Sequence, residues 1–138
     1  MKSIAAALIA LAASVPAYAA EAQLIIYYND RPPHHYTDDQ GVPQGPAISK
    51  VSAALKAAAI PYDLRTLPAK QQLVKLQENQ ERACMMAWVD IPGRDSKGKF
   101  SEVIYKDEPE GYERRLWCTK AVPDEEMQRL NTALRKQI

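Results

Sequence analysis

The sequence predicts an α/β fold in which a mostly parallel, five-stranded sheet carries helices on both faces. Two observations lead to this prediction. Short stretches rich in β-branched and aromatic residues alternate along the chain with segments whose apolar residues recur every three or four positions. The resulting order of strand, helix, strand, helix, strand favours parallel strands, because each connecting helix must cross back over one face of the sheet.

The first three strands are predicted at residues 23–29, 62–67 and 82–89. The first and third are almost continuously apolar, as expected of strands that are buried on both faces, whereas the second alternates like an edge strand. Two further strands are predicted at residues 100–106 and 112–119, on either side of the turn sequence DEPEG.

Three helices accompany these strands. An amphipathic helix is predicted at residues 47–59 and is ended by Pro61, and a second helix begins at Pro68 with Leu73 and Leu76 on its inner stripe. The segment VPDEEMQRLNTALRKQI predicts the third helix. Its acidic residues come first and its basic residues last, which suits the helix dipole.

The first 19 residues are predicted to be a secretory signal peptide. Lys2 precedes an apolar run that is too short for a comfortable membrane span, and Ala17 and Ala19 form a small-residue cleavage site. Cleavage after Ala19 would leave residues 20–138 as one domain, with 17 basic and 17 acidic side chains. This balance gives no electrostatic reason to expect nucleic acid as a partner, and a soluble periplasmic protein is expected.

Two cysteines, Cys84 and Cys118, remain after cleavage. An even number of cysteines in an exported protein favours a disulfide between them. Such a bridge would close a loop of about 34 residues, which the chain-entropy account values at roughly 3 to 4 kcal/mol. The alternatives are two buried free thiols, or a cysteine that pairs with another chain.

Several stretches, taken in order, resemble a known family. The first strand runs into PPHHYTDDQGVPQG and then a helix, LPAKQQLVKLQ comes after the second strand, and IPGRDSKGKFSEVIY comes after the third. In this combination the chain resembles the first lobe of an extracellular solute-binding protein of family 3, the periplasmic binding proteins for polar amino acids. The resemblance implies a single periplasmic-binding-protein-like lobe, with one antiparallel strand in its sheet.

The resemblance also implies that a second lobe is absent. Family members have two lobes that close on the ligand, and they need about twice this length. The tail WCTKAVPDEEMQRLNTALR resembles the closing segment of the family, so DEPEGYERR stands where the second lobe would be inserted. The alternative is a truncated gene whose tail resembles that ending by chance.

The resemblance implies that Arg94 clamps the carboxylate of a ligand, since Arg94 and Phe100-Ser101 keep the spacing of the family. A guanidinium group suits this role because it makes two parallel hydrogen bonds. By composition alone, Arg94 would be an exposed arginine in a polar loop. Ile91 stands where the family has a threonine, so no hydroxyl cluster for an ammonium group is visible. Asp90 is left to pair either with a cationic ligand group or with Arg94.

The loop from Tyr27 to Gly45 is expected to form one wall of the ligand crevice, because ligands of open parallel sheets lie at the carboxyl ends of the strands. Tyr28, His34 and Tyr36 are the candidate stacking wall. The alternative for the tyrosines is ordinary packing beneath the loop. Trp88, at the end of the third strand, would either floor the crevice or lie in the core.

Neither metal binding nor catalysis is predicted. His34 and His35, near Asp38 and Asp39, raise a metal site as an alternative. Consecutive residues of an extended chain point to opposite sides, however, so this pair would chelate poorly, and no cofactor is expected. The sequence contains no nucleophile elbow, no cysteine beside a plausible base and no close carboxylate pair in a defined motif, so it is not expected to be an enzyme.

The chain is therefore predicted to be an exported, non-catalytic solute-binding protein of the ABC-transporter type. Its ligand would be a small carboxylate-bearing molecule such as an amino acid or an amine derivative. The alternative is an interaction or sensory module that no longer binds solute. Such a module would dock on a membrane transporter, a sensor or a second copy of itself as a homodimer.

Overall fold

The computed structural model describes residues 22–137, so the predicted signal peptide lies outside the described residues. Seven strands and three helices follow one another along this part of the chain. In order they are β1 (Leu24–Tyr28), β2 (Tyr36–Thr37), β3 (Pro43–Gln44), α1 (Pro46–Ala57), β4 (Tyr62–Thr66), α2 (Ala69–Glu78), β5 (Ala83–Val89), β6 (Lys99–Lys106), β7 (Glu113–Cys118) and α3 (Asp124–Arg135). None of the helices between residues 22 and 137 has the length and apolar character needed to cross a membrane.

Five of the strands form one sheet in the order β4, β1, β5, β7, β6. β1 pairs in parallel with both β4 and β5, while β7 is antiparallel to both of its neighbours. Four strands therefore run in one direction and only β7 opposes them within this sheet. The predicted sheet, with its edge strand at residues 62–67 and its single antiparallel strand, is confirmed.

Helices cover both faces of the sheet, as predicted. α1 and α3 pack on one face, where Val51, Leu55, Leu130 and Leu134 join the larger apolar core. α2 covers the other face, and its Leu76 packs in a smaller cluster that also contains the following buried residues: Tyr27, Ala83, Met85 and Trp117. β5 is buried on both faces because it lies in the middle of the sheet.

The inner stripe of α2 differs from the prediction. Leu73 is 36% exposed, and Gln72 is only 1% exposed in its place beside Leu76. Gln72 and Leu76 are four residues apart and share one helix face, whereas Leu73 lies to the side. The buried amide of Gln72 is tolerated because its Nε2 donates to the carbonyl oxygen of Leu67 at 2.8 Å and its Oε1 accepts from Trp88 at 2.7 Å.

The long loop between β1 and α1 is ordered by a small antiparallel pair, β2 with β3, which the sequence did not predict. Its two glycines, Gly41 and Gly45, both have positive φ, at 78° and 112°. A side chain at Gly45 would overlap the backbone of His34, whose carbonyl oxygen accepts from the backbone N–H of Ala47 at 3.0 Å. Gly45 therefore allows the loop to close onto the start of α1.

His35 fastens the same loop to the sheet. It is fully buried, its Nδ1 lies 2.7 Å from the carbonyl oxygen of Asn29, and its Nε2 lies 3.2 Å from the hydroxyl of Tyr105 on β6. A carbonyl only accepts, so Nδ1 carries the proton and Nε2 accepts from Tyr105. This neutral tautomer ties the loop after β1 to the opposite edge of the sheet.

The disulfide links two neighbouring strands in the middle of the sheet. Cys84 on β5 faces Cys118 on β7 in the antiparallel register, and the structure joins them as predicted. Both residues are fully buried in the larger core. The bridge therefore fastens the only antiparallel strand of the described five-stranded sheet to its most buried parallel neighbour.

Removal of the disulfide is expected to lower stability without changing the fold. The double variant Cys84→Ala/Cys118→Ala should lose about 3 to 4 kcal/mol of unfolding free energy, because the bridge restricts the unfolded chain. Urea unfolding of the oxidised wild type and of the double variant measures the difference. An unchanged unfolding midpoint would contradict this expectation.

Acid is expected to weaken the fold through His35. Burial lowers the pKa of His35, the hydrogen bond to Asn29 opposes this, and the positive charges of Arg31, His34 and Arg114 lower the pKa further. The folded protein therefore binds fewer protons than the unfolded chain, whose histidine titrates near the ordinary value of about 6.5. The contribution of His35 is complete above that pH and is lost as the pH falls from it toward the lower folded pKa.

Urea unfolding midpoints between pH 8 and pH 5 measure this loss. The variant His35→Gln keeps a donor and an acceptor but does not titrate, so its midpoint should vary less over the same pH range. An equal pH dependence in the wild type and in His35→Gln would assign the effect to other groups.

Candidate functional site

A crevice opens at the carboxyl ends of β1, β4 and β5, beside the first turn of α2. It consists of a cavity of about 630 Å³ and a deeper one of about 200 Å³, and both are lined by Asn29 and Ala69. Its lining residues are Asn29, Asp30, Arg31, Thr37, Thr66, Leu67, Pro68, Ala69, Gln72, Met86, Ala87, Trp88 and Arg114. Parallel strands end together at this edge, which is where open sheets of this kind bind ligands.

A β-bulge at the end of β5 shapes one wall of the crevice. The register between β5 and β7 shifts between Met85 and Trp88, and Ala87 has a φ of 69°. A left-handed alanine is uncommon and is held by its surroundings: its carbonyl oxygen accepts from Nη1 of Arg114 at 3.1 Å. Because of the bulge, Trp88 lies on the same sheet face as Met85, although the two residues are three positions apart.

Trp88 is held in place by α2. Its indole Nε1 donates to Oε1 of Gln72 at 2.7 Å, and Nε2 of Gln72 donates to the carbonyl oxygen of Leu67. The ring is half-buried and lines the deeper cavity. The structure therefore gives the crevice a fixed apolar ring, with the polar chain of Gln72 behind it.

Arg94 lies next to Trp88 but does not line the crevice. Its Nη1 donates to the carbonyl oxygen of Val89 at 2.8 Å, and its guanidinium carbon lies 5.1 Å from the ring centre of Trp88 and 5.5 Å from that of Trp117. Asp90 is exposed, and no ion pair within residues 22–137 joins it to Arg94. Arg94 thus stacks on the aromatic cluster that supports the wall of the crevice.

The predicted stacking wall is dispersed. Tyr28 is 1% exposed and belongs to the larger core. Its hydroxyl oxygen lies 2.7 Å from the hydroxyl oxygen of Thr37. His34 stacks on Tyr105 with ring centres 4.0 Å apart. Tyr36 is half-buried in β2. Of the aromatic candidates, Trp88 is the one that the structure places in the crevice.

Two arginines that the sequence analysis did not single out line the crevice. Arg114, on β7, donates from Nε to Oδ2 of Asp107 at 2.7 Å, and Nη2 of Arg31 lies 3.5 Å from the same oxygen. Asp107 opens the predicted turn DEPEG and Arg114 follows it on β7, where the register places Arg114 opposite Tyr105. The approach of Arg31 depends on the path of the first loop, for which the sequence carries no signal.

These three charged groups also border a second cavity, of about 450 Å³, on the side of the β6–β7 turn. Its lining residues are Arg31, Pro32, His34, Asp107, Glu108, Glu110, Tyr112 and Arg114. Burial raises the pKa of the neighbouring Tyr105, so its hydroxyl stays protonated and can donate to His35. Arg31 and Arg114 therefore stand between the two openings.

Two of the residues considered for metal binding, His35 and Asp38, make hydrogen bonds that hold the first loop. Both ring nitrogens of His35 lie within hydrogen-bond distance of protein oxygens. Asp38 accepts from the backbone N–H groups of Val42 and Gln40, and these bonds lower the pKa of its carboxyl group. Over residues 22–137 no three histidine, cysteine or acidic side chains are grouped as a metal would require.

No known family profile matches the sequence, and no curated protein matches it by sequence. The structure, by contrast, is similar to solved binding proteins. Domain 1 of TmArgBP in its arginine-bound form superposes with a TM-score of 0.64 at 13% identity, over 83% of this chain and 92% of that one. A periplasmic binding protein from Salmonella typhimurium, described as highly specific for arginine, gives 0.64 at 11% identity, over 83% and 93%.

A third comparison is with a longer protein. The arginine-, lysine- and histidine-binding protein ArtJ from Geobacillus stearothermophilus superposes with a TM-score of 0.51 at 18% identity, over 60% of this chain and 36% of that one. Identities this low establish the fold alone. The described chain therefore has the α/β fold of a single periplasmic-binding-protein-like lobe.

Proposed function

We propose that this chain is an exported, non-catalytic protein that binds a small carboxylate-bearing solute in the crevice. The observation that carries the proposal is the crevice itself, where Arg31, Arg114, Gln72 and Trp88 converge at the carboxyl ends of the strands. A few polar groups around an apolar ring, in a concave site, are the usual composition of a small-molecule site. The likeness of the fold to amino-acid-binding proteins supports the same class of ligand.

The charge of the crevice suits an anionic group. α2 begins beside it without a side-chain cap at Pro68, and its first turn contains no acidic residue. The backbone N–H groups of this turn therefore keep their positive potential, and the guanidinium groups of Arg31 and Arg114 add to it. A carboxylate that entered the crevice would be attracted by all three.

The other candidate site residues receive supporting roles in this proposal. Arg94 stacks on Trp88 and supports the ring on which the ligand would lie, and its proposed contact with the carboxylate itself is open to direct test. Tyr28 supports the first loop through its contact with Thr37, and Tyr36 belongs to the β2–β3 pair that orders the loop. His34 and Asp90 would contact only a ligand that extends beyond the crevice.

A single lobe has consequences for affinity. The connection between β6 and β7 is the short turn at residues 107–112, so no second wall closes over the crevice within the described chain. An open site leaves water around the ligand and weakens each polar contact. We therefore expect modest affinity, and we propose the periplasm as the compartment and a membrane transporter or sensor as the partner that reads the bound state.

A second candidate function is an interaction module that no longer binds solute. It is favoured by the apolar residues that α2 leaves in solvent, since Leu73 and Val74 are 36% and 48% exposed. A module of this kind would associate with a partner or with a second copy of the chain, independently of any solute.

A charge placed in the crevice is expected to abolish binding. Ala69 is exposed and lines both parts of the crevice, so Ala69→Glu would repel a carboxylate there. Gln71→Glu adds the same charge in the same helical turn but outside the crevice, and serves as the matched control. Both variants should fold at least as well as the wild type, because an acid near a helix N-terminus is favourable.

The measurement is a thermal-shift screen of the mature, oxidised protein and both variants against free amino acids, including L-arginine. A ligand at a hundred times its dissociation constant stabilises by about 2.7 kcal/mol. We expect a shift in the wild type and in Gln71→Glu and none in Ala69→Glu. Cooperative unfolding without a shift for any compound, together with dimerisation, would contradict the proposal and favour the interaction module.

A further inference from the structure

We infer that Arg31 and Arg114 receive the ligand carboxylate, and that Asp107 is an internal anion that occupies these two arginines when no ligand is bound. This inference rests on the proposed function and names the residues that carry its specificity. It departs from the expectation, drawn from the resemblance, that Arg94 is the carboxylate clamp.

The two arginines approach the same carboxylate oxygen from different parts of the chain. Arg31 comes from the loop after β1 and Arg114 from β7, and both approach Oδ2 of Asp107, at 3.5 Å and 2.7 Å. Both also line the deeper part of the crevice and the second cavity behind it. The second cavity is also lined by the acidic residues Glu108 and Glu110 beside Asp107, so an anion would meet the pair of guanidinium groups from the crevice.

The two arginines differ in how firmly they are held. Arg114 is held on two sides, by Asp107 and by the carbonyl oxygen of Ala87 at the bulge. Arg31 makes the longer contact and its side chain is 44% exposed, so little opposes its turning toward a ligand. One fixed and one adjustable guanidinium group can hold a carboxylate between them.

The charges of Asp107 and the two arginines do not cancel. Asp107 has a side chain that is only 9% exposed and faces two positive groups, so these three side chains carry a net charge of +1, which the exposed Asp30 in the lining of the crevice offsets in part. This residual charge attracts a monocarboxylate. Asp107 competes with the same ligand, however, because its carboxylate already accepts a hydrogen bond from Arg114 and forms an ion pair with Arg31.

Arg94 lies in a different environment from Arg31 and Arg114. Its guanidinium group lies over the rings of Trp88 and Trp117 and donates to the carbonyl oxygen of Val89. It is absent from the lining of the crevice, whereas Arg31 and Arg114 are part of it. A carboxylate in the crevice would therefore meet the arginine pair before it met Arg94.

The test uses the mature protein with L-arginine, L-glutamine and L-glutamate as probes, and agmatine as the match of L-arginine that lacks the carboxylate. Isothermal titration compares the wild type with Arg31→Ala, Arg94→Ala and Asp107→Asn. Arg65→Ala is the control, because Arg65 is an exposed arginine of β4 that pairs with Asp63 and lies outside the lining of the crevice. Urea unfolding of each variant shows that it is folded.

We expect Arg31→Ala to bind about tenfold more weakly to whichever of the three amino acids the wild type binds. This is the loss typical of one charged hydrogen bond. Arg94→Ala and Arg65→Ala should bind within about twofold of the wild type. Asp107→Asn should bind more tightly although it unfolds more easily, because it removes the competing carboxylate. Agmatine, which lacks the carboxylate, should bind the wild type more weakly than L-arginine does, and Arg31→Ala should not weaken its binding further.

Each contrary result has its own meaning. Binding that is lost in Arg94→Ala and kept in Arg31→Ala would overturn this inference and leave the proposed function standing. Binding that does not strengthen in Asp107→Asn would overturn the role of Asp107 as an internal anion. If the wild type and every variant bind none of the probes, the proposed function fails together with the inference.

Discussion

The structure depends on the burial of β5 in the middle of the sheet. Its residues Ala83 to Ala87 are buried, so their backbone groups must find partners in the neighbouring strands. β1 supplies these partners on one side in parallel and β7 supplies them on the other in antiparallel orientation, and the Cys84–Cys118 bridge fastens the second pairing. β7 lies between β5 and β6, so the short turn after β6 is enough to complete the five-stranded sheet.

The crevice follows from the end of that same strand. The bulge at Ala87 breaks the alternation of β5 and brings Trp88 onto the α2 side, where Gln72 holds it. The same bulge gives Arg114 a carbonyl oxygen to bind, which fixes the guanidinium group at the opening. One irregularity in the central strand thus places both the apolar ring and a positive group of the proposed site.

Most of the fold was predictable because apolar periodicity and turn residues determine it locally. The strands at residues 62–67 and 82–89 and the final helix were recognised in this way, since each buries its pattern against the sheet. Gln72 was missed because a buried amide is visible only when its partners, Leu67 and Trp88, are known. The pattern favoured Leu73 on hydrophobicity alone.

The site was less predictable because it depends on contacts between distant segments. Arg31 and Asp107 are 76 positions apart and meet only because the first loop folds back toward β6. Trp88 was singled out because it lies at the end of a predicted strand, whereas the resemblance to a family drew attention to Arg94, whose guanidinium group lies against two tryptophan rings. Residue spacing alone does not reveal which side of the sheet a loop arginine will occupy.

The most direct test of ligand binding in the crevice uses the two tryptophans of the sequence. In a nitrogen-15 spectrum each indole N–H gives one signal, and Trp88→Phe assigns them. If the ligand binds in the crevice, its addition moves the signal of Trp88, which lines the crevice, more than that of Trp117, which is buried beneath it. A ligand that leaves the Trp88 signal unchanged while it stabilises the protein would place the binding site elsewhere.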